Sequence, residues 1–216
     1  MAELAKSLGH EMNNTLAAIV LQLEMLAQDL PATGSARETV TILETAAQQG
    51  VGLVRRVRDL ARLARPLVPR AVDLRAAVDD ALAAVHARLA TLPDVGVVTE
   101  HARLPSVLGD RAELALAVRE LLGNALDAVA DDGRIRIVTG AQGAFLFCRV
   151  EDDGEGVTPE VLAGAFEPFV STRAERGRGL GLTIALAVAA RHDGDVQLAP
   201  GRGRGTTATL RIARPR

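Results

Sequence analysis

The sequence predicts an all-α helical hairpin, dimerising into a four-helix bundle, followed by an α+β sandwich domain. Three observations predict it. Apolar residues in the first part of the chain recur at alternating spacings of 3 and 4, which is a heptad seam on a helix rather than a strand pattern. After Pro66 and Pro69 the pattern changes to short strand-like runs mixed with longer helical ones. A content of 48% hydrophobic and 24% charged residues over 216 positions supports a sizeable core, in one large domain or two small ones.

The first seam is Leu16, Ile19, Leu23, Leu26 and Leu30. Pro31, Ala32, Thr33 and Gly34 interrupt it, and Ser35 is expected to cap a second helix, with Glu38 three residues on completing a capping box. Val40, Leu43, Ala47, Gly50, Val54, Val57, Ala61 and Ala64 carry the alternation onward. Two such helices joined by a short turn form an antiparallel hairpin. One hairpin has little interior of its own, so a symmetric pair forming a four-helix bundle is the expected solution. Residues 1–65 are this hairpin domain, 66–70 a hinge linker, and 71–216 the second domain.

In the second domain, 74–92 reads as a helix and 95–100 as a strand. Residues 110–130 read as a long helix capped by Asp110. Strands follow at 134–139 and 144–151 around a glycine-containing turn at 140–143, then a helix at 180–191 and strands at 195–199 and 206–212. Strands backed by three longer helices make a layered sandwich. The glycine- and arginine-rich stretches 176–181 and 201–205 sit beside these elements and read as functional loops rather than disordered linkers.

Composition excludes several classes. A net charge of −2 lacks the basic field of a general nucleic-acid or anionic-membrane binder. With 2% aromatics and neither Trp nor Tyr, base-stacking platforms are not expected. The one cysteine, Cys148, rules out an internal disulfide framework and a multi-cysteine zinc site, and a reducing cytosol is the natural compartment. No apolar run approaches the roughly 18 residues of a membrane span, and no secretory signal is visible.

Five constellations carry chemistry. His10 falls one step off the first seam, with Glu11 beside it and Asn14 one turn on. An exposed imidazole is a nucleophile when a carboxylate holds one ring nitrogen protonated, although His–Glu pairs are also common on solvated helix faces. Glu120, Asn124 and Asp127 share one stripe of the long helix, otherwise lined by Ala and Gly. Oxygen ligands of this kind suit a hard cation such as Mg²⁺. Asp152, Gly154 and Gly156 close a strand: the glycines permit close backbone approach, and the carboxylate can accept from an exocyclic amine such as that of adenine. The same residues are also good β-turn chemistry. Gly177, Gly179 and Gly181 open a helix whose amides can face phosphates. Gly201, Gly203, Gly205, Thr206 and Thr207 enter the last strand.

In this order the motifs resemble the transmitter core of a sensor histidine kinase, over essentially the whole chain. Residues 7–19, around His10-Glu11-Met12-Asn13-Asn14, resemble its phosphoacceptor box. Residues 120–128 are similar to the N box, 152–156 to the first glycine box, 166–172 to the F box, 177–182 to the second glycine box and 203–207 to the last. The second domain is similar to the Bergerat-type ATP-binding fold of type II topoisomerases and mismatch-repair ATPases.

The resemblance implies that His10 takes the γ-phosphoryl group of ATP while Glu11 orients the ring. It implies that Asn124 ligates Mg²⁺ with Glu120 beside it, and that Asp127 belongs to the same ATP-binding box. Asp152 would bind the adenine amino group, helped by Thr206, over a floor of Gly154 and Gly156. Gly179, Leu180 and Gly181 would present main-chain donors to the phosphates. Residues 166–178 would form a lid, with Thr172, Arg173, Arg176 and Arg178 near the phosphates. The phosphoryl group would pass to an aspartate of a response-regulator receiver domain, and Asn14 stands where relatives position a water for dephosphorylating that regulator. The implied partners are a second copy of the chain and the receiver domain, and the implied setting is cytoplasmic.

Some residues depart from the pattern. Thr15 stands where many relatives carry proline, so a straighter first helix is expected. Asp127 and Ala128 stand where many carry a basic residue. Only nine residues precede His10, so the first helix reads as truncated and a sensor domain as missing from this chain. Two other readings compete: a histidine-phosphotransfer or scaffold protein with a non-catalytic ATPase-like domain, and a conformational ATPase that phosphorylates no histidine.

Overall fold

The computed structural model describes residues 2–31, 33–168, 179–201 and 203–214, with backbone alone at residues 2–10, 13 and 160. The chain divides into two compact units, Met1–Arg65 and Pro66–Arg216.

The first unit is the hairpin of α1 (Ala2–Asp29) and α2 (Ser35–Leu63). The helices pack on each other, closely enough that a Cβ on Gly50 would come within 3.2 Å of Leu16 Cδ2. Arg37 donates to the Ala27 carbonyl near the turn. The heptad seams divide in two. Val40, Ala47 and Val54, seven apart, are buried within the hairpin. Met12, Ile19 and Leu26, also seven apart, are exposed, as are Leu43 and Val57.

The expected capping box at Ser35 is not formed. Gly34 holds the N-cap position at φ 124°, without a side-chain cap, and its carbonyl accepts from the Glu38 amide at 3.1 Å. The chain enters α2 through a backbone conformation that favours glycine, so Ser35 begins the helix proper.

In the second unit a five-stranded sheet has the order β2-β4-β5-β7-β6, built from β2 (Gly96–His101), β4 (Arg134–Gln142), β5 (Phe145–Asp152), β6 (Asp195–Pro200) and β7 (Thr206–Ala213). β2 runs parallel to β4, and every other pairing is antiparallel. A second, two-stranded sheet pairs β1 (Arg70–Val72) with β3 (Val107–Gly109). Helices α3 (Leu74–Leu89), α4 (Arg111–Ala128) and α6 (Gly181–Arg191) pack side by side, with α4 in the middle. A short helix, α5 (Pro159–Gly164), follows β5. Strand alternation puts Ile135 and Ile137 of β4, Leu146, Cys148 and Val150 of β5, and Leu210 and Ile212 of β7 into one core with Leu114, Leu121, Ile184 and Val188. Full burial pushes the Cys148 thiol up to about 12, because the thiolate would be desolvated, which fits a small inert core residue.

The boundaries differ from expectation for local reasons. α3 ends at Leu89, not at 92, because the Ala90, Thr91 and Leu92 amides turn back onto His86, Arg88 and Leu89 and Pro93 follows. Gly140 lies inside β4 rather than in the turn: it sits under the Phe147 ring, where a Cβ would come within 2.5 Å of Cζ. Arg70 opens β1 opposite Gly109 instead of belonging to the linker. β1, β3 and α5 were not expected. Among the described residues, no helix is long and apolar enough to cross a membrane.

Candidate active site

The site is built around the C-terminal half of α4. Asp110 starts this helix by accepting from the Ala112 and Glu113 amides at 2.8 and 3.0 Å. Ten residues on, Glu120 is buried, with Oε1 held 2.8 Å from Nη2 of Arg119. Glu120 and Asn124 turn toward the start of α6. A Cβ on Gly181 would stand 3.2 Å from Glu120 Oε2 and 3.5 Å from Asn124 Oδ1. Glycine therefore leaves room for two side-chain oxygens above a helix N-terminus.

That N-terminus has no side-chain cap, and the first amides of any helix have no intrahelical acceptor. Gly179, at φ 62°, and buried Leu180 lead into it. Thr183 ties the turn to the end of the preceding segment, with Oγ1 donating to the Phe166 carbonyl at 3.1 Å. Positive helix-end charge facing two oxygen ligands is a place where a polyanion and a cation can be held together. Among the described residues no cluster of three or more His, Cys, Asp or Glu side chains could hold a metal ion alone. A Mg²⁺ held by one or two protein oxygens and completed by phosphates and water fits this donor set.

A second cluster forms where β5 ends. Asp152 Oδ1 accepts from the Gly154 amide at 3.0 Å and from the Thr206 amide at 3.2 Å, which fixes the carboxylate between two turns. Gly154 lies on the end of α4: a Cβ there would be 2.3 Å from the Ala128 carbonyl oxygen. Gly156, at φ 80°, lies against Gly205, whose own φ is 82°. Arg204 Nε donates to the Gly154 carbonyl at 3.1 Å and joins the two turns. The stripe on α4 thus meets the Asp152 turn through Ala128 and the α6 N-terminus through Asn124.

Asp127 departs from its two companions on the stripe. Its Oδ1 lies 2.5 Å from Nη2 of Arg88, at the end of α3. Arg88, Arg119 and Arg204 were all missed by sequence reasoning. Only Arg204 carried a signal, its place between Gly203 and Gly205. Thr172, Arg173, Arg176 and Arg178 lie outside the described residues, as does the His10 side chain, although its backbone belongs to α1. Glu11 and Asn14 are exposed on that helix. α1 continues unbroken through Thr15, whose hydroxyl donates to the Glu11 carbonyl at 3.0 Å.

Comparison with known proteins agrees with both units. Residues 1–66 match the His Kinase A (phospho-acceptor) domain, and residues 109–216 match the histidine kinase-, DNA gyrase B-, and HSP90-like ATPase domain. The sensor histidine kinase ZraS of Escherichia coli K12 is 30% identical over 212 residues, covering 97% of this chain and 45% of that protein. The sensory histidine kinase/phosphatase NtrB of Rhodobacter capsulatus is 30% identical over 92% of this chain and 59% of its own length. The chain spans about half the length of these curated relatives. The crystal structure of full-length ShkA in complex with AMPPNP is similar over 100% of this chain and 47% of that one, with a TM-score of 0.72 and 26% identity. The chain belongs to the histidine kinase-, DNA gyrase B-, and HSP90-like ATPase family, and with a phospho-acceptor domain ahead of the ATPase domain it is a sensor histidine kinase transmitter core.

Proposed function

We propose that the chain is an ATP-dependent protein histidine kinase that phosphorylates His10 and passes the group to an aspartate of a response-regulator receiver domain. The observation that carries this reading is the convergence of Glu120 and Asn124 on the open start of α6. Beside it, Asp152 is fixed by two amides at the far end of α4. One end suits a triphosphate and the other an adenine amine. The similarity to the sensor histidine kinase ZraS and the sensory histidine kinase/phosphatase NtrB supports the same activity.

In the proposed reaction a ring nitrogen of His10 attacks the γ-phosphorus in line. The bond to the β–γ bridging oxygen breaks, and ADP leaves with the electron pair. Glu11 holds the other ring nitrogen through its N–H, so the attacking nitrogen keeps its lone pair. Bound Mg²⁺ supplies charge neutralisation between the phosphates. Glu120 and Asn124 hold the cation side, and the amides of Gly179, Leu180 and Gly181 hold the phosphates. Asp152 accepts from the adenine amine, supported by Thr206, Gly154 and Gly156, and Thr172, Arg173 and Arg178 serve the phosphates from the lid. Asn14 serves a phosphatase step toward the regulator, in line with the name of NtrB. The working unit is a homodimer through the hairpin, acting in the cytoplasm.

Incubation with γ-labelled ATP and Mg²⁺ tests the reading. The chain should gain an acid-labile label that His10→Gln abolishes outright and Asn124→Ala reduces at least about 100-fold, as loss of a key electrostatic contact does. Nucleotide binding without label would support a conformational ATPase instead, and no nucleotide binding would support a relay protein.

A further inference from the structure

Among the described residues, ion pairs join α3 to α4 at both ends, and they differ in place. Arg111 and Asp80 meet at the start of α4, with both side chains about half exposed. Arg88 and Asp127 meet at the other end, on the stripe that carries Glu120 and Asn124. There Arg88 Nη2 lies 2.5 Å from Asp127 Oδ1, and Nη1 lies 3.3 Å from the Gly123 carbonyl. The guanidinium therefore spans the residue just before Asn124 and the residue one turn after it. Ala128, next in the chain, is the residue against which the Gly154 turn packs. Asp127 is 20% exposed and Arg88 40%, so the cation is the more open partner.

Charge makes this placement consequential. A carboxylate one turn from Asn124 stands close to where a triphosphate would lie, and like charges repel there. Asp127 alone would oppose the ligand that Asn124 serves. A guanidinium locked onto it cancels that charge, and with five N–H donors it offers more than two acceptors can use. We propose that Arg88, delivered from α3 and aimed by Asp127, is a polyphosphate-binding residue of the nucleotide site. The inference rests on the nucleotide-site reading above and extends it to a helix outside the matched ATPase segment, which begins at residue 109.

The test is calorimetric titration of the whole chain with adenosine, ADP and MgATP. For Arg88→Ala the expected loss grows with phosphate number: adenosine within about twofold of the unaltered chain, MgATP weakened about 10- to 30-fold. Arg88→Lys should keep most of the MgATP affinity. The double variant Arg88→Ala/Asp127→Ala should recover much of the loss, because the repelling carboxylate has gone with its partner. A residue that only braces α3 would lower the melting temperature and weaken all three ligands alike. That flat pattern, or unchanged MgATP binding in Arg88→Ala, overturns the inference and leaves the nucleotide site standing. An unaltered chain that binds none of the three would sink the nucleotide-site reading, and this inference with it.

Discussion

Gly205 is a position where one methyl group decides whether the base end of the site forms. A Cβ there would lie 1.8 Å from the Asp152 carbonyl oxygen, and the residue's φ of 82° is one that side chains rarely adopt. Gly205→Ala must therefore move the β6–β7 turn away from the Asp152 turn. The left-handed backbone alone costs about 1–3 kcal/mol. The variant should melt earlier in thermal denaturation and lose adenosine as well as MgATP in titration, because Thr206 would no longer hold Asp152. Retained adenosine affinity would show that the two turns need not touch. Residues of this kind were legible in the sequence because their chemistry is local: Asp152, Gly154, Gly156 and Gly205 stand in short glycine motifs whose backbone demands are visible without a partner. Arg88 was not legible. It is an ordinary cation on a helix, and its meaning comes from Asp127, 39 residues away in the chain. Ser35 failed for the opposite reason: its residue type suited a cap, but Gly34 had already set the backbone.

At the scale of the element, α4 organises the second unit. It packs between α3 and α6, and its two ends do different work. The N-terminal end is held by Asp110, whose side chain caps the helix and whose own amide donates to Nε2 of buried His192 at 3.0 Å. Nδ1 of His192 lies 2.8 Å from the Val188 carbonyl, so the ring links α6 to the start of α4. Asp110→Ala removes the side-chain cap while leaving the backbone amide on His192. A loss of about 1 kcal/mol is expected by denaturant titration, with MgATP affinity changed less than about twofold, since the site lies at the other end of the helix. A large affinity loss at unchanged stability would show that the cap is coupled to Asn124. The long elements were legible because periodicity accumulates over their length. β1 and β3, at three residues each, give no period to read, and their pairing arises from long-range contact. The parallel pairing of β2 with β4 is equally a product of the whole fold, since strand pattern does not encode direction.

For the whole molecule, the decisive feature is what the hairpin leaves uncovered. A heptad repeat offers two apolar lines, and one partner helix can bury only part of them. Val40, Ala47 and Val54 face inward, whereas Met12, Ile19 and Leu26 on α1 and Leu43 and Val57 on α2 remain open. Covering a large apolar side chain is worth roughly 1.5–3 kcal/mol, so in the homodimer proposed above these residues, doubled by symmetry, would supply a strong drive toward a four-helix bundle. Replacing Ile19 and Leu26 together with Lys would place charge in that seam without touching the residues packed inside the hairpin. Sedimentation equilibrium should then show a monomer at concentrations where the unaltered chain is a dimer. MgATP affinity should stay the same, because every described residue of the nucleotide site belongs to the second unit. A mixing experiment tests the same interface: His10→Gln chains, which take no label, and Asn124→Ala chains, which take little, should regain full labelling together only if phosphorylation crosses between protomers, and the Lys substitutions should abolish that recovery. A doubly substituted chain that still sediments as a dimer would mean that the open seam is not the interface.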